Sequence, residues 1–306
     1  MAQFSVSVVI PTLNASRHLP ALIQSLHRQK PLAPVEIVLV DSNSTDDTRA
    51  VAGQFVGVKV VQVGKFSHGR ARNLGVSEAV GDIIVLMTQD AIPAGESWLS
   101  ELLAPLDDQA VGAVYSRQVP RDDANPMERF FLLHRFPEGQ EVRRVCIPGK
   151  PLMLEDVFFS NVSSAVRRSL LLKHPFDEQL IMSEDQQFSR DIIRAGWAVV
   201  YRPSSKVIHS HNYTLKSVVK RYFDSVYSLS KVFPEHGVAT SSSMGARYVY
   251  RELGYITRQY PLWIPYWCLY TSAKAIGTLA GHAAEYMPYW ILRRVSLHAY
   301  HWERER

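Results

Sequence analysis

Val8-Val9-Ile10-Pro11-Thr12-Leu13-Asn14 sets an apolar, β-branched run against a proline and a short polar tail. The run Ser5 to Ile10 predicts a buried strand that stops at Pro11. Leu19, Leu22, Ile23 and Leu26 then recur at helical spacing. Val35 to Val40 predicts a second buried strand, which delivers Asp41. Ser44-Thr45-Asp46-Asp47 offers an N-cap to a helix running through Val51 and Phe55. Val58 to Val63 predicts a third strand, Ala71 to Ala79 a helix, and Ile83 to Met87 a fourth strand that delivers Thr88-Gln89-Asp90. Strand and helix alternating at this spacing predict an α/β fold, a mostly parallel, Rossmann-like sheet flanked by crossover helices.

Val111 to Tyr115, Val162 to Val166, Ala198 to Tyr201 and Lys206 to His209 predict further strands, and Asp185 to Ala195 a helix. Residues 118–158 carry Pro120, Pro126, Pro137 and Pro148 and are expected to form a long irregular functional loop. From about Leu215 the strand patterns stop. Residues 215–232 suit a helix with Val218, Val219, Tyr222 and Val226 on one face, and 260–300 are rich in Trp, Tyr and Leu. The expected division is therefore an α/β domain over 1–214 and a helical C-terminal region over 215–306. Tyr260 to Ala280 is apolar but contains two prolines and Lys274, a poor spanning helix. Two readings of the C-terminal region stay open. One is a membrane-surface segment anchored by Trp290-Ile291-Leu292-Arg293-Arg294-Val295, and the other is a helix packed on the core or on a second copy in a homodimer.

The chain of 306 residues is 46% hydrophobic and 21% charged, which argues a packed core and against disorder. Its net charge of +5 is too modest to call for nucleic acid, and anionic headgroups or a pyrophosphate ligand account for it equally well. Cys146 and Cys268 form no Cys-x-x-Cys pair, which weakens zinc and redox readings and fits a reducing cytosol. The N-terminal pattern is that of a strand, so no signal peptide is expected.

In open α/β sheets ligands bind beyond the carboxyl ends of the strands, where Thr12, Asn14, Asp41, Ser42 and Asp90 fall. Any one of them could simply start a turn, but several at successive strand ends point to a site. No Gly-x-Gly-x-x-Gly or Gly-x-x-x-x-Gly-Lys is present, which disfavours dinucleotide and P-loop sites. A nucleotide would then be held by side chains, with Asp41 able to accept a pyrimidine N–H. The loop Gly64-Lys65-Phe66-Ser67-His68-Gly69-Arg70 enters a helix and suits phosphate oxygens, or else is a solvated basic turn. Asp90 suits Mg²⁺ or Mn²⁺ with phosphates completing the shell, and Gln89 adds a neutral ligand or a hydrogen bond. His209 and His211, two apart on an extended chain, share a face and could reach the metal or the diphosphate. Ser183-Glu184-Asp185 opens a helix, either as acidic capping residues or as the source of a general base.

Taken with their order and spacing, these segments resemble the family 2 glycosyltransferases of GT-A fold. The resemblance covers residues 5–212 and rests on Val8–Asn14, Val40-Asp41-Ser42-Asn43-Ser44-Thr45-Asp46-Asp47-Thr48, Ala71-Arg72-Asn73-Leu74-Gly75 and Ser183-Glu184-Asp185. It implies that Pro11, Thr12 and Asn14 line the nucleotide, that Asp41 holds the base and that Arg72 and Asn73 lie close to the nucleoside. Asp90 becomes the metal ligand of a motif whose first acidic position is here Thr88, and Asp185 becomes the acceptor-activating base, supported by Glu184. Thr88-Gln89-Asp90-Ala91, Phe66–Asn73, Phe159–Ala165 and Val207–His211 are similar to bacterial rhamnosyltransferases that use dTDP-L-rhamnose. That resemblance implies an enzyme acting on a surface-polysaccharide or lipid-linked glycan; the expected location is the cytoplasm, with a peripheral place on the cytoplasmic face of the inner membrane if the C-terminal region lies on that surface. Gln187-Phe188-Ser189-Arg190-Asp191 lacks the Trp and the spacing of the processive synthases' Gln-x-x-Arg-Trp, which implies non-processive transfer. The rivals are a glycosyltransferase using a UDP- or GDP-sugar and a non-catalytic nucleotide-sugar-binding module. A nucleotidyltransferase is disfavoured because Pro11–Asn14 offers neither a Gly-rich loop nor a Lys.

Overall fold

The computed structural model describes residues 4–30, 35–234 and 239–303. The chain folds as two compact units. The first comprises residues up to Val119 with Phe136–Gln179 and Glu184–His209, and the second comprises Pro120–Arg135, Leu180–Ser183 and the chain from Ser210 onward.

Nine strands of the first unit form one sheet among the described residues: β1 (Val6–Thr12), β2 (Val35–Asp41), β3 (Val58–Gln62), β4 (Ile83–Met87), β5 (Ile92–Pro93), β6 (Val111–Val119), β7 (Val142–Arg144), β8 (Ser163–Arg167) and β9 (Ala198–Ile208). Their order is β3-β2-β1-β4-β8-β6-β9-β5, with β7 also on β9. β1 to β4 are mutually parallel, as the β-branched runs predict for strands covered on both faces. β8 lies antiparallel between β4 and β6, so β6 runs parallel to β4, and β9 runs parallel to β6. The carboxyl ends of β1, β2, β4, β6 and β9 therefore share one edge, the edge on which the site residues are found. Beneath it, Val8, Ile10, Ile37, Leu39, Val85 and Val114 form the core with Leu19, Leu22 and Ile23 of the helix Leu19–His27.

Gly75 shows why the helix His68–Glu78 packs so closely. A Cβ there would collide with Val9 and Val40, so only glycine lets this helix lie against β1 and β2.

Beyond shifts at element ends and short added elements, such as β1 running through Pro11 to Thr12, two differences from expectation shape the fold. Residues 118–158 are not simply a loop, because Pro126–Arg135 is a helix. Pro126 begins it, where a missing N–H costs nothing, Asn125 Oδ1 caps the Glu128 N–H at 2.9 Å, and Met127, Phe130 and Leu132 are buried. The two strands expected over 198–209 are one, β9, because the register against β6 slips between Ser116 and Arg117 and absorbs Pro203-Ser204-Ser205. The Ser205 hydroxyl is buried there, bonded to Ser116 Oγ at 2.8 Å and to Trp98 O at 3.1 Å.

The second unit is helical, built from Pro126–Arg135, Leu215–Val232, Ala239–Gln259 and Ile264–His282, followed by Tyr289–Val295. Lys274 faces the protein. Its ammonium meets Glu252 at 2.8 Å and lies over the rings of Tyr248 and Tyr270, while Trp267 Nε1 donates to the other Glu252 oxygen at 3.0 Å. Among the described residues, no helix is long and apolar enough to cross a membrane.

Candidate active site

The turn after β1 is built around the side chains of the loop after β2. Asn14 adopts a left-handed backbone (φ 49°), its N–H donates to Ser44 Oγ at 2.9 Å, and its Oδ1 accepts from the Thr45 N–H at 2.9 Å. Asn43 (φ 60°) and Ser183 (φ 66°) share that uncommon conformation, so three non-glycine left-handed residues flank the acidic segments. Asp41 is fully buried, and its carboxylate accepts from the backbone N–H and hydroxyl of Ser44, with Arg49 Nε at 3.9 Å. The Ser42 N–H donates to Thr12 O at 2.8 Å, and its buried hydroxyl has no partner among the described residues. Thr12 is buried and donates its hydroxyl to Val40 O, while Pro11 is half-buried.

Gln89 spends its amide on the backbone. Its Oε1 accepts from the Leu13 N–H at 2.8 Å and its Nε2 donates to Leu13 O at 3.1 Å, fastening the ends of β1 and β4 together. That leaves Asp90 as the carboxylate of this turn. Because β5 pairs Ile92 with Ile208 of β9, the turn brings Asp90 beside His209, with Oδ1 and Nε2 3.6 Å apart. On its other side the His209 ring meets Gln118 Oε1 through Nδ1 at 2.9 Å, and Gln118 Nε2 donates to Ser160 Oγ at 3.0 Å. Gln118 Oε1 faces the ring at Nδ1 and accepts from it when that nitrogen carries the proton, which leaves Nε2 as the ring nitrogen on the Asp90 side. His211 lies two residues further along, in the second unit, where its N–H donates to Glu128 at 3.3 Å.

The helix Glu184–Arg194 starts with two acidic residues that the structure treats differently. Glu184 is buried and paired with Arg72 at 2.8 Å, whose side chain is equally buried and also donates to His68 O. Asp185 accepts from the Gln186 N–H at 2.9 Å and the Asn161 N–H at 3.4 Å. Burial, and then the negative charge of Glu184, push its carboxyl up to about 7, against the lowering effects of Arg72 and the two N–H donors. A carboxyl held there can take a proton near neutral pH.

The basic loop is largely tied to the protein. Ser67 caps the helix by accepting from the Arg70 N–H, and Arg70 pairs with Glu178 at 2.8 Å. Asn73 grips Phe176 twice, donating to its carbonyl at 2.9 Å and accepting from its N–H at 3.0 Å. Arg72 and Asn73 are thus supports for the Glu184 and Phe176 segments, and Lys65 is exposed.

Residues 7–168 match the profile described as Glycosyl transferase family 2. The chain belongs to glycosyl transferase family 2. This family 2 glycosyltransferase is 30% identical over 302 residues to the O-antigen chain rhamnosyltransferase RfbN of Salmonella typhimurium, covering 97% of this chain and 96% of that one. It is 31% identical over 303 residues to the O-antigen chain rhamnosyltransferase WbaN of Salmonella anatum, with the same shares covered. Among solved structures it resembles a mannosyltransferase of Pyrobaculum calidifontis in complex with GDP-Man and Mn²⁺, with a TM-score of 0.67 and 16% identity over 94% of this chain and 88% of that one, a likeness of fold. The α/β sheet with helical C-terminal part is therefore the GT-A architecture, and the enzyme is a rhamnosyltransferase-like glycosyltransferase.

A carboxylate oxygen and an imidazole nitrogen, with an amide at the ring's other nitrogen, form a donor set that suits a divalent cation. Sequence reasoning missed Gln118, Ser160, Asn161 and Gln186. Asn161 lies in the quoted stretch Phe159–Ala165, which carried no role. Gln118 is distant in sequence from both histidines and has no local signal.

Proposed function

We propose that this enzyme transfers L-rhamnose from dTDP-rhamnose to a hydroxyl of a surface-polysaccharide or lipid-linked glycan, by a single inverting, non-processive displacement. The observation that carries the reading is Asp185, a carboxyl raised to about 7 at the start of a helix on the site edge. Asp185 accepts the proton of the acceptor hydroxyl as that oxygen bonds to C1 of the sugar, and the nucleoside diphosphate leaves from the opposite face. The negative charge of Glu184 adds to burial in raising the basicity of Asp185, and Arg72 holds Glu184 in place while opposing that rise. Pro11, Thr12, Asn14, Asp41 and Ser42 border the nucleotide, with the Ser42 hydroxyl, unpartnered among the described residues, available to it, and Lys65 meets its phosphates. Gln89, tied to Leu13, shapes the turn that presents Asp90. Asp90 and His209 would hold Mg²⁺ or Mn²⁺. When bound, that ion supplies positive charge against the leaving diphosphate. The rhamnosyl donor is supported by the two relatives named for that transfer, which match along nearly their whole length.

The C-terminal region suits the cytoplasmic surface of the inner membrane. Leu262, Leu269 and Ile276 are exposed at seven-residue intervals, with Tyr286 and Trp290 exposed beyond them and Arg293 and Arg294 following. The competing arrangement is a homodimer through the same face; sedimentation with anionic vesicles, against the mass of the protein alone, separates the two.

The experiment that tests the reaction is a thermal-shift scan of nucleotide sugars with and without Mg²⁺ or Mn²⁺, followed by nucleoside diphosphate release on adding glycan. Metal-dependent stabilisation by dTDP-rhamnose supports the reading. Stabilisation by UDP- or GDP-sugars alone overturns the donor, and release unchanged in Asp185→Asn overturns the base.

A further inference from the structure

The second unit contains a groove of about 790 Å³ whose walls come from three separate stretches, 122–129, 212–214 and 260–266. Four aromatic rings face it, those of Tyr213, Tyr260, Trp263 and Tyr266, and the exposed side chain of Asp122 stands at its polar side. Trp263 is 38% exposed, which leaves part of its ring open to a ligand in the groove.

The walls are braced before any ligand arrives. Arg221 donates to the Tyr213 hydroxyl at 2.8 Å and its guanidinium lies over the same ring, which fixes the ring's tilt. Trp263 meets Tyr266 edge-on at 5.8 Å, and its backbone N–H is bonded to Tyr260 O at 2.9 Å. Asn212 links the other two stretches, accepting from the Asn125 N–H at 2.8 Å and donating to Asp123 O at 2.9 Å. Ring faces beside carboxylate acceptors are a surface for a molecule that is apolar on its faces and rich in hydroxyls at its edges. The lining carries two aspartates, Asp122 and Asp123, against one arginine, Arg129, whose guanidinium is bonded to Arg121 O and Asp122 O, so the balance disfavours an anionic ligand, and the polar side disfavours an acyl chain.

We propose that this groove is a binding site for a neutral oligosaccharide, of the class from which the acceptor glycan is drawn. Sugar rings stack on Trp263 and Tyr266, and their hydroxyls donate to Asp122. Naming the ligand as acceptor rests on the glycosyl-transfer reading above; that the groove takes neutral sugar does not.

The test is an array of neutral and acidic oligosaccharides probed with the full chain, its Trp263→Ala and Tyr266→Ala variants, and Trp263→Phe as a control that keeps a ring. The expected result is binding of neutral glycans, at least tenfold weaker in both alanine variants and retained in Trp263→Phe, with unchanged melting temperatures. No binding of neutral glycans by the wild type, a preference for acidic ones, or equal binding in the alanine variants overturns the proposal. Nucleotide-sugar binding by the wild type is read in parallel. If that fails while glycan binding is lost in Trp263→Ala, the groove stands and the donor reading falls.

Discussion

Gln118 and His209 share a hydrogen bond of 2.9 Å that decides which ring nitrogen meets Asp90. With Nδ1 committed to the amide oxygen, Nε2 is the nitrogen 3.6 Å from the carboxylate and the one able to bind a cation. Gln118→Leu removes the acceptor and frees the ring to rotate or change tautomer. Mn²⁺ affinity in the presence of nucleoside diphosphate, followed by electron paramagnetic resonance, is expected to fall about 10–100-fold. Unchanged affinity would show that the amide does not orient the ligand.

Asp185→Asn is expected to lower turnover by about a hundredfold or more, the usual contribution of a general base, with nucleotide-sugar binding retained. In the wild type the rate is expected to rise as pH rises through about 7, because only the ionised carboxyl accepts a proton. A flat profile from pH 6 to 8 would oppose the assignment.

The same carboxyl makes folding pH-dependent. Its ordinary value is 3.8 and the folded one is about 7, so between these the native state holds a proton that the unfolded chain has released. Stability from this group therefore declines as pH rises across that window. Asp185→Asn abolishes the decline, and the gain in melting temperature over wild type is expected to be larger at pH 8 than at pH 5.

Arg72 and Glu184 form a buried pair, so removing one partner strands a charge. Arg72→Met is expected to cost about 3–5 kcal/mol in urea unfolding, and Arg72→Met/Glu184→Leu to recover much of it. Arg72 also lowers the Asp185 carboxyl, so any residual activity of Arg72→Met should shift to higher pH.

In the helical unit, Glu252→Ala leaves Lys274 buried without its counter-charge, and the expected cost is again about 3–5 kcal/mol. Lys274→Met/Glu252→Leu should be markedly more stable than Glu252→Ala. Equal stability would mean that the aromatic rings around Lys274 suffice.

The strands β1 to β4 were legible because each is a short β-branched run bounded by Pro, Asp or Gly, and burial on both faces demands such runs. The acidic residues at their ends were legible for the same reason, since a strand end that faces a ligand breaks the apolar pattern abruptly. The helix Pro126–Arg135 was hidden by its own start signal, because Pro126 opens the helix instead of interrupting it.

By itself, then, the amino-acid order determined the α/β alternation, the family, and Asp41, Asp90 and Asp185 as the acids of interest, because periodicity and local motifs are properties of neighbouring residues. Only the tertiary structure decided what surrounds each acid. Glu184 and Asp185 are adjacent in the chain, yet Arg72, 112 residues from Glu184, pairs with one, while burial raises the carboxyl of the other. Gln118 reaches His209 across 91 residues because β6 and β9 run parallel and end on the same edge. Pairings of that kind arise from strand order and packing, and no local pattern encodes them.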